Sequence, residues 1–243
     1  MSTLRTLPKL IIWDMRVQSR EKIYLFTIFT TLAFAAVLWL LPDQVPDTVL
    51  TGILFLDPAV VGTGFVAAII LLERSQNTLG ALAVSPASSS DYVLAKIVTL
   101  TLLTIAGGME LACVAYWPLA LDRALRFAAA MAFTGALGVV GGVLMVATAN
   151  SINHLIARLF PVSVVLYLPF LAHFKLIDGV WAWLLFAPNP GHAMLKSLLW
   201  AADPSNVSSA EAIYAFGYMG LLIAILFVWA RKLFTENIGR AAT

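Results

Sequence analysis

Residues Leu71–Lys96 read LLERSQNTLGALAVSPASSSDYVLAK, a polar bridge between two strongly apolar stretches of the chain. The bridge carries the acid–base pair Glu73-Arg74, then a short segment with one apolar side that stops at Pro86. The serine-rich run that ends at Asp91 has the form of a helix start, because Ser and Asp side chains accept hydrogen bonds from free backbone amides. The pattern predicts a loop that joins two membrane spans and makes specific contacts.

The composition on either side of the bridge is typical of an integral membrane protein. Of the 243 residues, 61% are hydrophobic and only 12% are charged, whereas soluble domains carry about 25% charged residues. A helix needs about 20 apolar residues to cross the hydrocarbon core. Six stretches qualify: Ile23–Leu41, Leu50–Leu72, Tyr92–Trp117, Phe127–Ala149, Leu155–Phe174 and Ile213–Ala230. We expect an all-α polytopic membrane protein with six transmembrane helices in a single domain, residues 1–243.

The basic residues predict the orientation of these spans. With a cytoplasmic N-terminus, eleven of the 15 Lys and Arg residues lie on the inner side and four on the outer side. The inner set is Arg5, Lys9, Arg16, Arg20, Lys22, Arg74, Lys96, Arg158, Arg231, Lys232 and Arg240, and the outer set is Arg123, Arg126, Lys175 and Lys196. This asymmetry follows the positive-inside rule and places both termini in the cytoplasm. Lys96, one turn into its span, is expected to extend its side chain back to water.

Two further segments predict helices that do not cross the membrane. Residues 4–20 have the spacing of an amphipathic helix in the cytoplasmic interface, although a flexible leader is the alternative. Its candidate functional residues are Trp13, Asp14, Arg16 and Arg20. Residues 179–200 are interrupted by Pro188 and Pro190 and predict a pair of re-entrant or interfacial helices on the outer side.

Several motifs of catalysis and metal binding are missing from the sequence. It contains no phosphate-binding G-x-x-x-x-G-K-[ST] sequence and no H-E-x-x-H, G-x-S-x-G or C-x-x-C. Cys113 is the sole cysteine, and His154, His173 and His192 lack the usual spacing of metal ligands. We therefore expect no enzyme activity, no metal and no cofactor in this chain.

The bridge resembles the permease subunits of type-two ABC transporters. Their pattern is an acidic and a basic residue, Gly-Thr-Leu, a leucine-rich stretch, a proline, and a lysine that opens the next span. The matching residues here are Glu73, Arg74, Thr78, Leu79, Leu82, Pro86 and Lys96. Asn77 departs from the pattern, where the family usually has glycine, although asparagine also tolerates a left-handed conformation. The Phe55-Leu56-Asp57 stretch and the bridge look most like bacterial drug-export permeases annotated for fluoroquinolones.

The resemblance implies a function and a set of partners. Residues 73–90 would form the coupling loop, with Glu73, Arg74, Asn77, Thr78, Leu79, Leu82 and Pro86 resting on an ATPase subunit. Two such subunits would bind ATP and Mg, and a second permease copy or a paralogue would complete an exporter of hydrophobic or amphipathic molecules in the bacterial cytoplasmic membrane. Glu73 would bind a basic residue of the ATPase or of the interfacial helix, such as Arg16 or Arg20. The alternative is a solvated pair of helix-end charges.

Three residues are candidates for the substrate path. Glu110 is an ionisable group inside a span, which indicates either a polar point on the path or a structural pair with Arg126, His173 or Lys175. Asp57 is a second candidate for the path. Because it precedes a proline, it also has the pattern of a helix N-cap at the start of the second span. Phe65 fits either an apolar path or an interface anchor.

Two other classes of function stay open. An ion-coupled secondary transporter would carry several carboxylates inside the membrane, of which only Glu110 is deeply placed. A lipid or haem exporter of the same ABC class would share every feature of the bridge.

Overall fold

The computed structural model describes residues 3–42, 44–60, 66–75, 88–149 and 152–241, in which every regular element is helical. The α-helices are α1 Thr3–Arg20, α2 Ile23–Trp39, α3 Asp47–Val60, α4 Val66–Ser75, α5 Ser89–Ala115, α6 Leu121–Ala147, α7 Ile152–Tyr167, α8 Phe170–His173, α9 Gly179–Phe186, α10 Pro190–Ala202 and α11 Ser209–Ala241. A 3₁₀ turn at Pro204–Asn206 precedes α11. The predicted all-α class is confirmed.

Within the described residues, four helical segments are long and apolar enough to cross a membrane: Ser89–Ala115, Leu121–Ala147, Asn153–His173 and Ser209–Glu236. They coincide with the predicted third to sixth spans. Helices α1 and α2 pass the same test together, as a pair bent by 66°, which raises the number to five. The predicted second span is divided between α3 and α4, and residues 61–65 lie outside the described part of the chain.

The long helices α5 and α6 form the centre of the bundle, with α1, α2, α3, α10 and α11 packed around them. Small residues bring the two central helices close together. A Cβ atom on Gly135 of α6 would lie only 2.8 Å from Cγ2 of Thr104 on α5. Buried apolar side chains of both helices, such as Leu100, Leu111 and Met131, fill the core.

The start of α5 follows the sequence prediction. Ser88 accepts a hydrogen bond from the Asp91 backbone amide at 3.1 Å, and the Asp91 carboxylate accepts one from the Ser88 amide at 3.2 Å. This reciprocal capping box satisfies two amides that the first helical turn leaves free. The predicted serine-rich helix start is therefore confirmed, and it fixes the register of α5.

Asp57 departs from the prediction. Helix α3 begins at Asp47 and continues to Val60, so Asp57 lies near the C-terminal end of a helix that is already formed. The N-cap interpretation is wrong because the preceding residues, 47–56, are themselves helical. The Asp57 side chain is buried instead, with a carboxylate oxygen facing Gly107 of α5.

Helix α10 is anchored at its first turn. Asn189 caps it by accepting a hydrogen bond from the Gly191 amide at 2.9 Å, and its own amide donates to the Val165 carbonyl at 2.6 Å. Gly191 lies so close to α7 that a Cβ atom there would be 2.1 Å from the Leu166 carbonyl oxygen. Proline at the first helical position and glycine next to it thus allow α10 to start against another helix.

Candidate functional site

Glu73 and Lys96, the charged residues that flank the bridge, lie together inside the structure. Glu73 is near the end of α4, Lys96 is in the second turn of α5, and both side chains are almost fully buried. The Lys96 ammonium donates to the Glu73 carboxylate at 2.7 Å. The two helices on either side of the bridge are therefore joined by an ion pair.

A second carboxylate completes this ion pair. The Lys96 ammonium also donates to Asp14 of α1, whose side chain is 2% exposed, while that of Lys96 is 1% exposed. One cation thus binds two anions that come from helices distant in sequence. We call Asp14, Glu73 and Lys96 the Lys96 cluster.

Neutral hydrogen bonds surround the Lys96 cluster. The Tyr92 hydroxyl donates to Glu73, and the Thr99 hydroxyl donates to Asp14. Gln18 donates from its side-chain amide to Asp14 at 2.7 Å and to the Thr99 hydroxyl at 3.0 Å. These bonds hold both carboxylates in place, which a buried charge requires.

Helical spacing explains how the sequence assembles this cluster. Tyr92, Lys96 and Thr99 are separated by four and three residues, so they share one face of α5. Asp14 and Gln18 are four residues apart and share the opposing face of α1. The Lys96 ammonium lies 5.4 Å from the Tyr92 ring centroid and 5.8 Å from that of Trp13, within cation–π range.

A further contact ties α1 to the beginning of α5. The Thr6 hydroxyl donates to the Asp91 carboxylate at 3.1 Å, and that carboxylate belongs to the capping box described above. Helix α1 is therefore attached to α5 near both of its ends. Displacement of α4 or of the start of α5 would move α1 with them.

Two predictions about the bridge are corrected. Lys96 does not extend to water, because two buried carboxylates neutralise it inside the protein. Glu73 finds its cation on α5 rather than on α1, so Glu73 is not merely a solvated helix-end charge. Among the candidates on α1, Asp14 enters the cluster, Trp13 covers it, and Arg16 and Arg20 are exposed.

The other residues predicted to form the coupling loop lie in the part of the chain that the structure does not describe. Asn77, Thr78, Leu79, Leu82 and Pro86 lie outside the described residues, as does the side chain of Arg74. The described chain does show where this segment is attached, since it leaves α4 two residues after Glu73 and rejoins the structure at Ser88. Glu73 of the Lys96 cluster is two residues from the first attachment point, and Lys96 is eight residues from the second.

The substrate-path candidates lie apart from this cluster. Glu110 is exposed on α5, and within the described chain no hydrogen bond or ion pair joins it to Arg126, His173 or Lys175. Arg126 pairs with Asp122 at 2.8 Å, and His173 bonds the Thr48 carbonyl at 2.7 Å. Phe65 lies outside the described residues.

Asp57 is a buried carboxyl group without full hydrogen bonding. Its Oδ2 atom has no hydrogen-bond partner among the described residues, and the same holds for the nearby Thr31 hydroxyl. A Cβ atom on Gly107 would lie 3.0 Å from the first atom and 3.2 Å from the second, so glycine leaves space for both groups. Asp57 is the more enclosed of the two acidic path candidates.

The role of Asp14 in the cluster was not predicted from the sequence. Two signals pointed to it: a single acidic residue on a basic helix, and a glutamine four residues later on the same face. Within the described ranges, no three His, Cys, Asp or Glu side chains are grouped so that they could hold a metal ion.

Comparison with known proteins gives one result. The model of the fluoroquinolones export permease protein family matches residues 5–240. The matched range contains the bridge and all the helices except the first two residues of α1 and the last residue of α11. Comparison with curated proteins and with solved structures gives no match.

Proposed function

The chain belongs to the fluoroquinolones export permease protein family, and from this premise we propose that it is the permease subunit of an ATP-driven ABC exporter. It would carry a drug-like amphipathic molecule out across the bacterial cytoplasmic membrane. Two ATPase subunits would supply ATP hydrolysis, and a second permease copy or a paralogue would complete the path. Family membership supports a multi-pass export protein, and the ATP-driven step is the added inference.

The observation that carries this proposal is the Lys96 cluster. Residues 76–87 between α4 and α5 would contact the ATPase as a coupling helix. Any force on that segment reaches Glu73 on one side and the capping box of α5 on the other. The buried ion pairs would then pass the motion to α1, because Lys96 binds Glu73 and Asp14 at once.

The proposal includes a topology with six spans and both termini in the cytoplasm. Helix α2 would be the first span, and α3 with α4 the second. Helix α1 would lie in the cytoplasmic interface, and α9 with α10 would form the re-entrant pair on the outer side. The distribution of basic residues supports this orientation.

Nucleotide dependence tests the proposal. Inside-out membrane vesicles would contain the permease with a candidate ATPase, the permease alone, or the ATPase alone, and accumulation of a fluorescent fluoroquinolone would be measured. We expect accumulation only with both proteins and ATP, and no loss of it when an ionophore dissipates the proton gradient. Accumulation by the permease alone, without nucleotide, would overturn the ATP-driven mechanism.

Asp57 favours one alternative, an ion-coupled transporter. A buried carboxyl group whose Oδ2 atom has no hydrogen-bond partner among the described residues is a suitable place for a transported proton to bind. In that case the ionophore would abolish accumulation, and Asp57→Asn would do the same. Under the ABC proposal Asp57 and Glu110 instead contact the substrate, and Asp57→Asn alters affinity without removing the need for ATP.

A further inference from the structure

A groove opens between α1, α2 and α5 on the side of the Lys96 cluster. Its volume is about 620 Å³, which lies within the range of about 300–1,000 Å³ typical of sites for drug-sized molecules. The apolar part of its lining is Ile12, Met15, Leu102, Leu103 and Ala106. Polar groups at its edge come from Arg16, Ser19, Tyr24 and Thr99.

Among the described residues, Arg16 is the one charged residue that lines this groove. It is exposed and forms no ion pair within the described ranges, in contrast to Arg20 on the same helix, which binds Glu21 at 3.0 Å. A guanidinium group forms strong two-pronged hydrogen bonds with carboxylates. An apolar wall with one free arginine at its edge is complementary to a molecule with an apolar body and a single carboxylate.

The groove also reaches the Lys96 cluster. Thr99 lines the groove and donates its hydroxyl proton to Asp14. Met15 and Arg16 directly follow Asp14 on α1. A molecule in the groove would therefore lie against α1 and Thr99, which hold one carboxylate of the cluster.

We propose that this groove binds the export substrate through an apolar body and a carboxylate, from the leaflet nearest the start of α5. This rests on the proposed function, and it adds the binding site and the residue that pairs with the carboxylate. Arg16 binds the carboxylate, and the ring system packs on the α5 wall. The wall lies about 15–26 Å along α5 from its first residue, at 1.5 Å per residue, and in the proposed topology this part of α5 is within the bilayer.

Binding to the full-length permease in nanodiscs tests the site. The probes are a fluoroquinolone with its carboxylate and the methyl ester of the same compound, followed by fluorescence anisotropy. We expect Arg16→Gln to weaken binding of the acid by about ten-fold, the effect of one lost charge-assisted hydrogen bond. The ester should bind both proteins equally. Lys9→Gln, which removes an exposed positive charge from α1 outside the groove, is the matched control.

A steric variant tests the wall independently of charge. Ala106→Phe fills the groove from α5 and should abolish binding of acid and ester alike, whereas Val114→Phe, an exposed position two turns further along α5, should not. Equal binding by wild type, Arg16→Gln and Ala106→Phe would overturn the site.

The lipid composition of the nanodiscs distinguishes binding of the substrate by Arg16 from binding of a phospholipid. The Arg16 effect should persist in nanodiscs of phosphatidylcholine alone and should not require phosphatidylglycerol. An effect seen only with phosphatidylglycerol would mean that Arg16 binds an anionic lipid, and the substrate site would be rejected. Vesicle accumulation that still needs ATP would leave the proposed function intact in either case.

Discussion

Two lysines, Lys96 and Lys196, form ion pairs of the same length in very different surroundings. Lys96 is 1% exposed and binds Glu73 at 2.7 Å, whereas Lys196 is 24% exposed and binds Glu211, also at 2.7 Å. The first lysine joins helices that are distant in sequence, and the second joins the neighbouring helices α10 and α11. The distance alone does not distinguish a structural junction from a surface contact; burial and the number of partners do.

The physical difference is in what remains when a partner is lost. Water can hydrate Glu211 if Lys196 is removed, so the loss is small. Asp14 and Glu73 would be left as two buried carboxylates if Lys96 were removed. The side of the bundle beside the bridge is thus held by the Lys96 cluster, whose residues cannot be replaced one at a time without loss of stability.

Replacing each of the two lysines in turn tests this comparison most directly. Lys96→Met should destabilise the protein by about 3–5 kcal/mol, because it leaves uncompensated buried charge. Lys196→Met should cost less than about 1 kcal/mol. Thermal loss of the monodisperse species in detergent, followed by size-exclusion chromatography, measures both. Adding Glu73→Gln to Lys96→Met should restore part of the lost stability. Equal melting temperatures of Lys96→Met and Lys196→Met would contradict the comparison.

Close backbone packing gives the next largest effect. Gly191→Ala should cost about 1–3 kcal/mol or more, because its Cβ would collide with the Leu166 carbonyl, which is backbone and cannot rotate away. Gly217→Ala is the matched control, since nothing lies within 4 Å of a Cβ there. The same chromatographic assay applies. A neutral Gly191→Ala variant would mean that α10 does not start against α7.

Glu73 tests the function of the cluster rather than its stability. Glu73→Ala should lower substrate-stimulated ATP hydrolysis by the assembled exporter, while membrane insertion is retained because Asp14 still pairs with Lys96. Glu73→Gln keeps a hydrogen-bonding group for Tyr92 and should lie between the alanine variant and wild type. Glu236→Ala, an exposed acidic position on α11, serves as control. Wild-type stimulation in Glu73→Ala would remove Glu73 from the coupling mechanism.

The smallest effect is expected at an exposed pair. Asp122 is 68% exposed and binds Arg126 one helical turn away, so Asp122→Asn should change stability least of all these variants, because water solvates and screens an exposed ion pair. High salt should abolish even this difference, because the screening length falls to about 3 Å at 1 M. Melting of wild type and variant at low and high salt provides the test. A large, salt-independent loss would mean that exposure is a poor guide to the value of ion pairs in this protein.

The sequence predicted the local features of this fold well. The helix start at Ser88 and Asp91 and the break around Pro188 and Pro190 are confirmed, because both depend on residues a few positions apart. The apolar runs also located the long helices, since the length needed to cross a membrane is fixed.

Features that depend on distant contacts were predicted poorly. Lys96 was expected in water because its partner Asp14 is 82 residues away. Asp57 was expected to start a helix because the Asp-Pro pair has the local form of a cap, yet α3 had already begun at Asp47. Local patterns do not show which face of α1 packs against the protein, and a polar face proved to be the buried one.

The 66° turn at Lys22 has a mechanical consequence. Helix α1 has 18 residues, so it is an arm about 27 Å long. A pivot of about ten degrees at its base would carry the tip about 5 Å, further than a hydrogen bond can stretch. The distance between Thr6 and Asp91, near that tip, is therefore sensitive to small changes in the angle of α1. Probes on these two positions would convert such a change into a readily measured change of separation.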